Sequence, residues 1–136
     1  MVMPNPVAAR WVLVDTGPLY AYLDRKDPDH PKAVTGFVGY RAESRPLYVT
    51  NYILAEAHAL VLNRLGYFAS RSFLQAALED FNVVRATAVD ELRAWEIVKG
   101  RVDRPFTYCD AVTVAVMERL GIPLAFSFDT RLRELG

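Results

Sequence analysis

Trp11-Val12-Leu13-Val14-Asp15-Thr16-Gly17-Pro18 is the stretch on which the fold turns. Four apolar residues in succession, with no polar alternation, read as a strand buried on both faces, as in a parallel sheet. The run breaks at Asp15-Thr16-Gly17-Pro18, which has loop and helix-start chemistry, and a short helix is expected over residues 18–23. Outward from there the same alternation repeats. A polar, Pro-containing loop (24–31) leads to a helix over 31–40. Leu47-Tyr48-Val49-Thr50 is a second strand, and residues 51–65 carry the helical period in Ile53, Ala57, Leu60 and Val61, stopped by Gly66. Further helices are expected over 69–78, 89–99 and 107–120, with strands over 82–87 and 124–128. Strands separated by helices require crossovers. The expected fold class is therefore α/β: a three-layer α/β/α sandwich around a mainly parallel central sheet of four or five strands.

Composition agrees and removes other classes. The chain has 136 residues, 52% of them hydrophobic, with 16 basic and 16 acidic side chains. A disordered chain would be less apolar and more charged. A membrane span needs about 18 consecutive apolar residues, and the longest clean run, 112–117, is short and contains Thr113. One compact domain over residues 1–136 is expected, with 1–10 as a loose N-terminal tail. Residues 1–10 lack a basic start followed by an apolar core, and the lone Cys109 has no intramolecular disulfide partner, so the default setting is reducing and cytoplasmic, with no membrane association. Zero net charge argues against bulk coating of nucleic acid, although 13 of the 16 basic residues are Arg, the side chain suited to two-pronged phosphate contacts.

In open parallel sheets, sites form beyond the carboxyl ends of the strands. That rule selects acids. Asp15 ends the first strand, Asp129 follows the fourth, Glu56 lies in the second turn of the helix after strand two, and Asp110 in the first turn of helix 107–120. Each has a plain structural use. Asp15 suits a helix cap and Asp129 a turn. Thr107-Tyr108-Cys109-Asp110 matches a capping box. Glu56, between Leu54, Ala55, Ala57 and Ala59, is the hardest to explain that way, because Glu is rarely buried unpaired. Topology nevertheless directs all four to one rim. Two carboxylates about 4 Å apart repel by roughly 4 kcal/mol at an effective dielectric near 20. A group of four therefore calls for protonation or a hard cation, and all-oxygen donors favour Mg²⁺ or Mn²⁺ over zinc.

Val14-Asp15-Thr16-Gly17-Pro18-Leu19, Asn51-Tyr52-Ile53-Leu54-Ala55-Glu56, Thr107-Tyr108-Cys109-Asp110-Ala111 and Phe126-Ser127-Phe128-Asp129, in that order, resemble the PIN-domain ribonuclease family, over nearly the whole chain from residue 11 to 135. The resemblance implies a metal-dependent endoribonuclease cutting RNA phosphodiester bonds. Small members of this size are typically VapC-like toxins of toxin–antitoxin pairs. By the same resemblance Asp15, Glu56, Asp110 and Asp129 match the acidic quartet and hold Mg²⁺ or Mn²⁺, and Thr16 and Ser127 match hydroxyls that orient carboxylates or water. It also implies a peptide antitoxin partner and a homodimer, for which helix 51–65 and the pair Tyr67-Phe68 are candidate surfaces or simply core. Two departures stand out: Leu132 occupies a position where relatives often carry an aromatic residue, and little sequence follows for a fifth strand. His30, in a Pro-flanked loop, and His58, two residues after Glu56, are read as bystanders, and Asp24, Asp27 and Asp103 as loop residues.

Rival readings are weaker. A haloacid-dehalogenase-type phosphatase needs a second Asp where Gly17 stands, a receiver domain needs a late Lys beyond Lys99, and no phosphate-binding glycine loop is present. A non-catalytic PIN-type RNA-binding or scaffold module, or a general RNA-processing nuclease without antitoxin, remains as the alternative.

Overall fold

In the computed structural model, residues 5–133 are described. Four strands, β1 (Val12–Val14), β2 (Leu47–Thr50), β3 (Asn82–Val84) and β4 (Leu124–Phe126), form one sheet in the order β3-β2-β1-β4, and every pairing is parallel. The helices are α1 (Thr16–Leu23), α2 (His30–Ala42), α3 (Asn51–Leu65), α4 (Tyr67–Asp80), α5 (Ala88–Lys99), α6 (Tyr108–Leu120) and a single turn, α7 (Thr130–Arg133). This is the expected α/β sandwich. β1 is entirely buried because it is central. The order places β1 between β2 and β4, so the connections leave it in opposite directions. A crevice opens at that point, above the carboxyl ends of β1 and β4.

Several boundaries shift for local reasons. The α1 helix begins two residues earlier than expected, because Asp15 caps it by accepting the Thr16 N–H. The third and fourth strands end early, at Val84 and Phe126; the chain leaves β4 for a turn in which the Asp129 N–H donates to the Ser127 hydroxyl. The α4 helix starts at Tyr67, directly after Gly66, whose φ of 92° is open to glycine and strained for other residues. Gly121 likewise ends α6 in the left-handed region.

The loose-tail reading of residues 1–10 is corrected for its described part. Residues 5–10 form turns tied to the body. The Asn5 side-chain amide donates to the Leu120 carbonyl at 2.8 Å, and Ala8 is fully buried. Residues 1–4 and 134–136 lie outside the described set. Among the described residues no fifth strand follows β4; α7 takes that place and buries Leu132, the position where an aromatic was missing.

The main core combines Val12, Leu13 and Val14 with Ile53, Ala57 and Val61 of α3 and Val114 and Met117 of α6. The inward face of α3 is therefore core, whereas Tyr67 and Phe68 are surface residues, 60% and 78% exposed. Phe126 is held by edge-on contacts with Phe37 and Tyr40, and its ring comes so close to Gly36 that a Cβ there would lie 2.2 Å away. α2 can cross β4 at this distance only as glycine. No helix among the described residues is long and apolar enough to cross a membrane.

Candidate active site

Asp15 is the anchor of the crevice. Its backbone N–H donates to the Phe126 carbonyl at 3.0 Å, extending the β1–β4 ladder by one bond. One carboxylate oxygen, Oδ1, accepts the Thr16 N–H at 2.8 Å, and the other, Oδ2, accepts the Ser127 hydroxyl at 2.8 Å. The Ser127 oxygen in turn accepts the Asp129 N–H at 2.9 Å. One hydroxyl, 2% exposed, thus locks the end of β4 to the end of β1. Ser127 was expected to orient a carboxylate, and this is its contact. Thr16 behaves differently. Its backbone holds Asp15, while its own hydroxyl oxygen is buried without a hydrogen-bond partner.

Glu56 is exposed on the second turn of α3, and Asp110 is half-buried at the start of α6, where its carboxylate accepts the Thr107 N–H at 3.1 Å within a complete capping box. Burial raises the Asp15 carboxyl above its ordinary value of 3.8. The Ser127 and Thr16 hydrogen bonds oppose this, and the negative charges of Asp110 and Glu56 add to it. Asp15 therefore feels two other carboxylates, and none of the three forms a salt bridge among the described residues. Cys109 shares the site. Burial raises its thiol pKa, and the charges of Glu56 and Asp15 raise it further, which disfavours the nucleophilic thiolate.

Asp129 sits apart in character. Arg131, two residues on, closes a fork on it, with Nε at 3.0 Å from Oδ1 and Nη2 at 2.7 Å from Oδ2. That hydrogen bonding outweighs burial and holds the Asp129 carboxyl below its usual range. The same guanidinium donates from Nη1 to the carbonyls of Arg104 and Pro105. Asp15 thus feels the charges of two of the other predicted acids, Asp110 and Glu56, and the fourth, Asp129, is linked to Asp15 through Ser127 but neutralised by a cation. Sequence reasoning passed over Arg131, whose signal is only a two-residue spacing in a turn. It also passed over Tyr52 and Tyr108, which meet edge-on at 5.6 Å beside the acids, with the Tyr52 hydroxyl donating to Glu91.

Among the described residues no three His, Cys, Asp or Glu side chains are gathered tightly enough to form a ready-made metal cage. The donor chemistry nonetheless fits a hard cation held partly through water: carboxylates without a salt-bridge partner among the described residues, one of them (Asp15) with its pKa raised mainly by burial and further by its acidic neighbours, and an orphaned buried hydroxyl beside it. His30 and His58 take no part in this grouping. His30 is spent on the Ala21 carbonyl at 2.7 Å. Asp24 and Asp27 serve loop turns, accepting the N–H groups of Lys26 and Asp29.

Comparison with known proteins identifies the family. The model of the PIN domain family matches residues 12–136. The 23S rRNA-specific endonuclease VapC20 of Mycobacterium tuberculosis is 35% identical over 92 residues, covering 65% of this chain and 69% of that protein. Ribonuclease VapC26 of the same organism is 29% identical over 130 residues, 92% of this chain and 94% of that one. The crystal structure of VapC20, described as a Sarcin-Ricin loop cleaving toxin, superposes with a TM-score of 0.79 at 28% identity, over 92% of this chain and 95% of that one. VapBC2 from Rickettsia felis, bound to a DNA fragment from its promoter, shares the fold at a TM-score of 0.58 and 11% identity, with 79% of each chain covered. The chain belongs to the PIN-domain family, among its VapC-like ribonucleases.

Proposed function

We propose that Asp15, Glu56, Asp110 and Asp129 form the active site of a divalent-metal-dependent endoribonuclease, the toxin of a toxin–antitoxin pair. The observation that carries this reading is the unpaired acidic group around Asp15, anchored where the connections of the sheet diverge. Asp15, Glu56 and Asp110 would hold Mg²⁺ or Mn²⁺, with Asp129 at the margin. Bound there, the ion would polarise the phosphate and raise the acidity of a water. The chain's own groups do the rest. Ser127 fixes the Asp15 carboxylate in one orientation. The Thr16 hydroxyl can receive or donate one hydrogen bond to a site water. Glu56, the most exposed of the acids, is the natural group to accept a proton from the attacking water. Arg131 keeps Asp129 ionised. No histidine is needed, so the products carry a 5′-phosphate and a 3′-hydroxyl.

The test is cleavage of RNA, with a sarcin–ricin-type loop as first substrate, by pure protein in Mg²⁺ or Mn²⁺. Activity should vanish in EDTA and return with metal, and Asp15→Asn should lower it at least ~100-fold. Turnover that survives EDTA would remove the metal from the mechanism. RNA binding with no divalent-dependent turnover would instead favour the scaffold reading. A peptide antitoxin and a homodimer belong to the same proposal. An Arg side chain from such a partner would complement the unpaired acids, and a small DNA-binding protein encoded next to this gene would support it.

A further inference from the structure

The loop between α5 and α6 carries cations that the acidic group does not explain. Arg101 and Arg131 both lie against the ring of buried Phe106, with guanidinium carbons 4.0 and 4.6 Å from its centroid. Both donate to one carbonyl, that of Arg104: Nε of Arg101 at 3.4 Å and Nη1 of Arg131 at 3.0 Å. The two charges can be no farther apart than the sum of their distances to the ring, which is about one Debye length (~8 Å) at physiological salt, so solvent does not fully screen them. Arg131 is neutralised by Asp129. Arg101, half-exposed, and Arg104, exposed, have no carboxylate partner among the described residues. Arg104 also lies close enough to Asp129 to help hold its carboxyl down.

A guanidinium held by a ring and a carbonyl, with no carboxylate partner among the described residues, is arranged for an anion supplied from outside. Its position defines that anion. A series of contacts runs from Arg101 through Phe106 and the Arg104 carbonyl to Arg131, which holds Asp129, so Arg101 lies a few side chains from the acidic site. We propose that Arg101, assisted by Arg104, binds a backbone phosphate of the RNA strand flanking the phosphate that is cut. Arg101 would thus be a substrate-positioning residue, lying against a preformed platform, with the planar fork that suits phosphate. The proposal rests on the ribonuclease reading above.

The test compares Arg101→Gln, Arg101→Lys and Arg104→Gln with wild type. Cleavage in Mn²⁺ is measured from about 50 to about 200 mM salt with kcat and KM resolved, alongside anisotropy of a labelled RNA in EDTA. Arg101→Gln should raise KM and the RNA dissociation constant about 3- to 10-fold. It should leave kcat within about 3-fold and reduce the salt slope of binding by about 0.7, the increment for one single-strand phosphate. Arg101→Lys should restore the slope, because it keeps the charge. Arg104→Gln, with an exposed side chain, should move the same quantities by less and does not depend on the Phe106 packing. Unchanged affinity and slope in the Gln variants, on an active wild type, would overturn this proposal alone, as would a fall in kcat with an unaltered slope. A wild type that neither binds nor cleaves RNA would overturn the ribonuclease reading itself.

Discussion

Helices α5 and α6 start with the same device. In Thr87-x-x-Asp90 and Thr107-x-x-Asp110, each threonine hydroxyl accepts the aspartate N–H, and each carboxylate accepts the threonine N–H. The two aspartates are local equivalents, yet the fold gives them opposite surroundings. Asp90 is 2% exposed and gripped by Arg119 of α6, with Nε and Nη2 at 2.8 and 2.9 Å from its two oxygens. Burial pushes its carboxyl up, but Arg119 and Thr87 outweigh that, and the net shift is downward. Asp110 has no salt-bridge partner among the described residues; its charge is felt by Asp15 and, more distantly, by Arg131, which is engaged with Asp129. One capping motif therefore yields a structural clamp in one place and a candidate reactive group in the other. What separates them is the presence of a counter-charge from a distant part of the chain.

This contrast can be broken experimentally. The largest effect should come from Asp110→Asn, which removes the unpaired charge and keeps the shape. RNA cleavage should fall at least ~100-fold while urea unfolding changes by less than about 1 kcal/mol. Asp90→Ala should do the reverse. It strands Arg119 and deletes a cap, so unfolding should become easier by about 2–3 kcal/mol, the lower side of the range for a broken buried pair because Arg119 is 36% exposed. Residual activity of the folded fraction should stay near wild type. If Asp90→Ala abolished turnover in folded protein, the division of labour would be wrong.

pH separates the two environments further, in EDTA so that the carboxylates are read without metal. Asp15 is raised above 3.8 in the folded chain, so ionising it costs stability as pH climbs through its folded pKa. Asp15→Asn should therefore melt higher than wild type at neutral pH, with the advantage shrinking as pH falls to 3.8 and below. Asp90 is lowered, so its contribution is present above 3.8 and lost as pH drops through its folded pKa. Asp90→Asn should melt lower than wild type at neutral pH, and the gap should close only in stronger acid. Equal pH profiles for the two variants would remove the electrostatic distinction. The smallest effect belongs to the neighbouring Arg93–Glu118 bridge across the same helix pair, at 3.2 Å but with Arg93 52% exposed. Arg93→Ala should cost under about 1 kcal/mol in thermal or urea unfolding.

Much of the fold was legible because its signals are local. Continuous apolar runs such as Trp11–Val14 mark buried parallel strands, and Gly66 and Gly121 mark helix ends where the backbone adopts positive φ. Asp15 and Asp129 could be placed at one rim because the end of a parallel strand is a position that can be counted. What sequence could not supply was pairing at a distance. Nothing near Asn5 predicts that its amide meets the Leu120 carbonyl, and nothing near Asp90 announces Arg119. Arg131 illustrates the same limit at short range. Its spacing to Asp129 is plain, but the fork that neutralises Asp129 depends on carbonyls of the Arg104–Pro105 loop holding the other end.

The Ser127–Asp15 hydrogen bond joins residues 112 positions apart. One Asp15 oxygen is held locally by the Thr16 N–H at the start of α1, but the other has no partner until Ser127, beyond β4, is in place. The orientation of the central acid is thus a non-local product of the fold, fixed only when the ends of β1 and β4 have met.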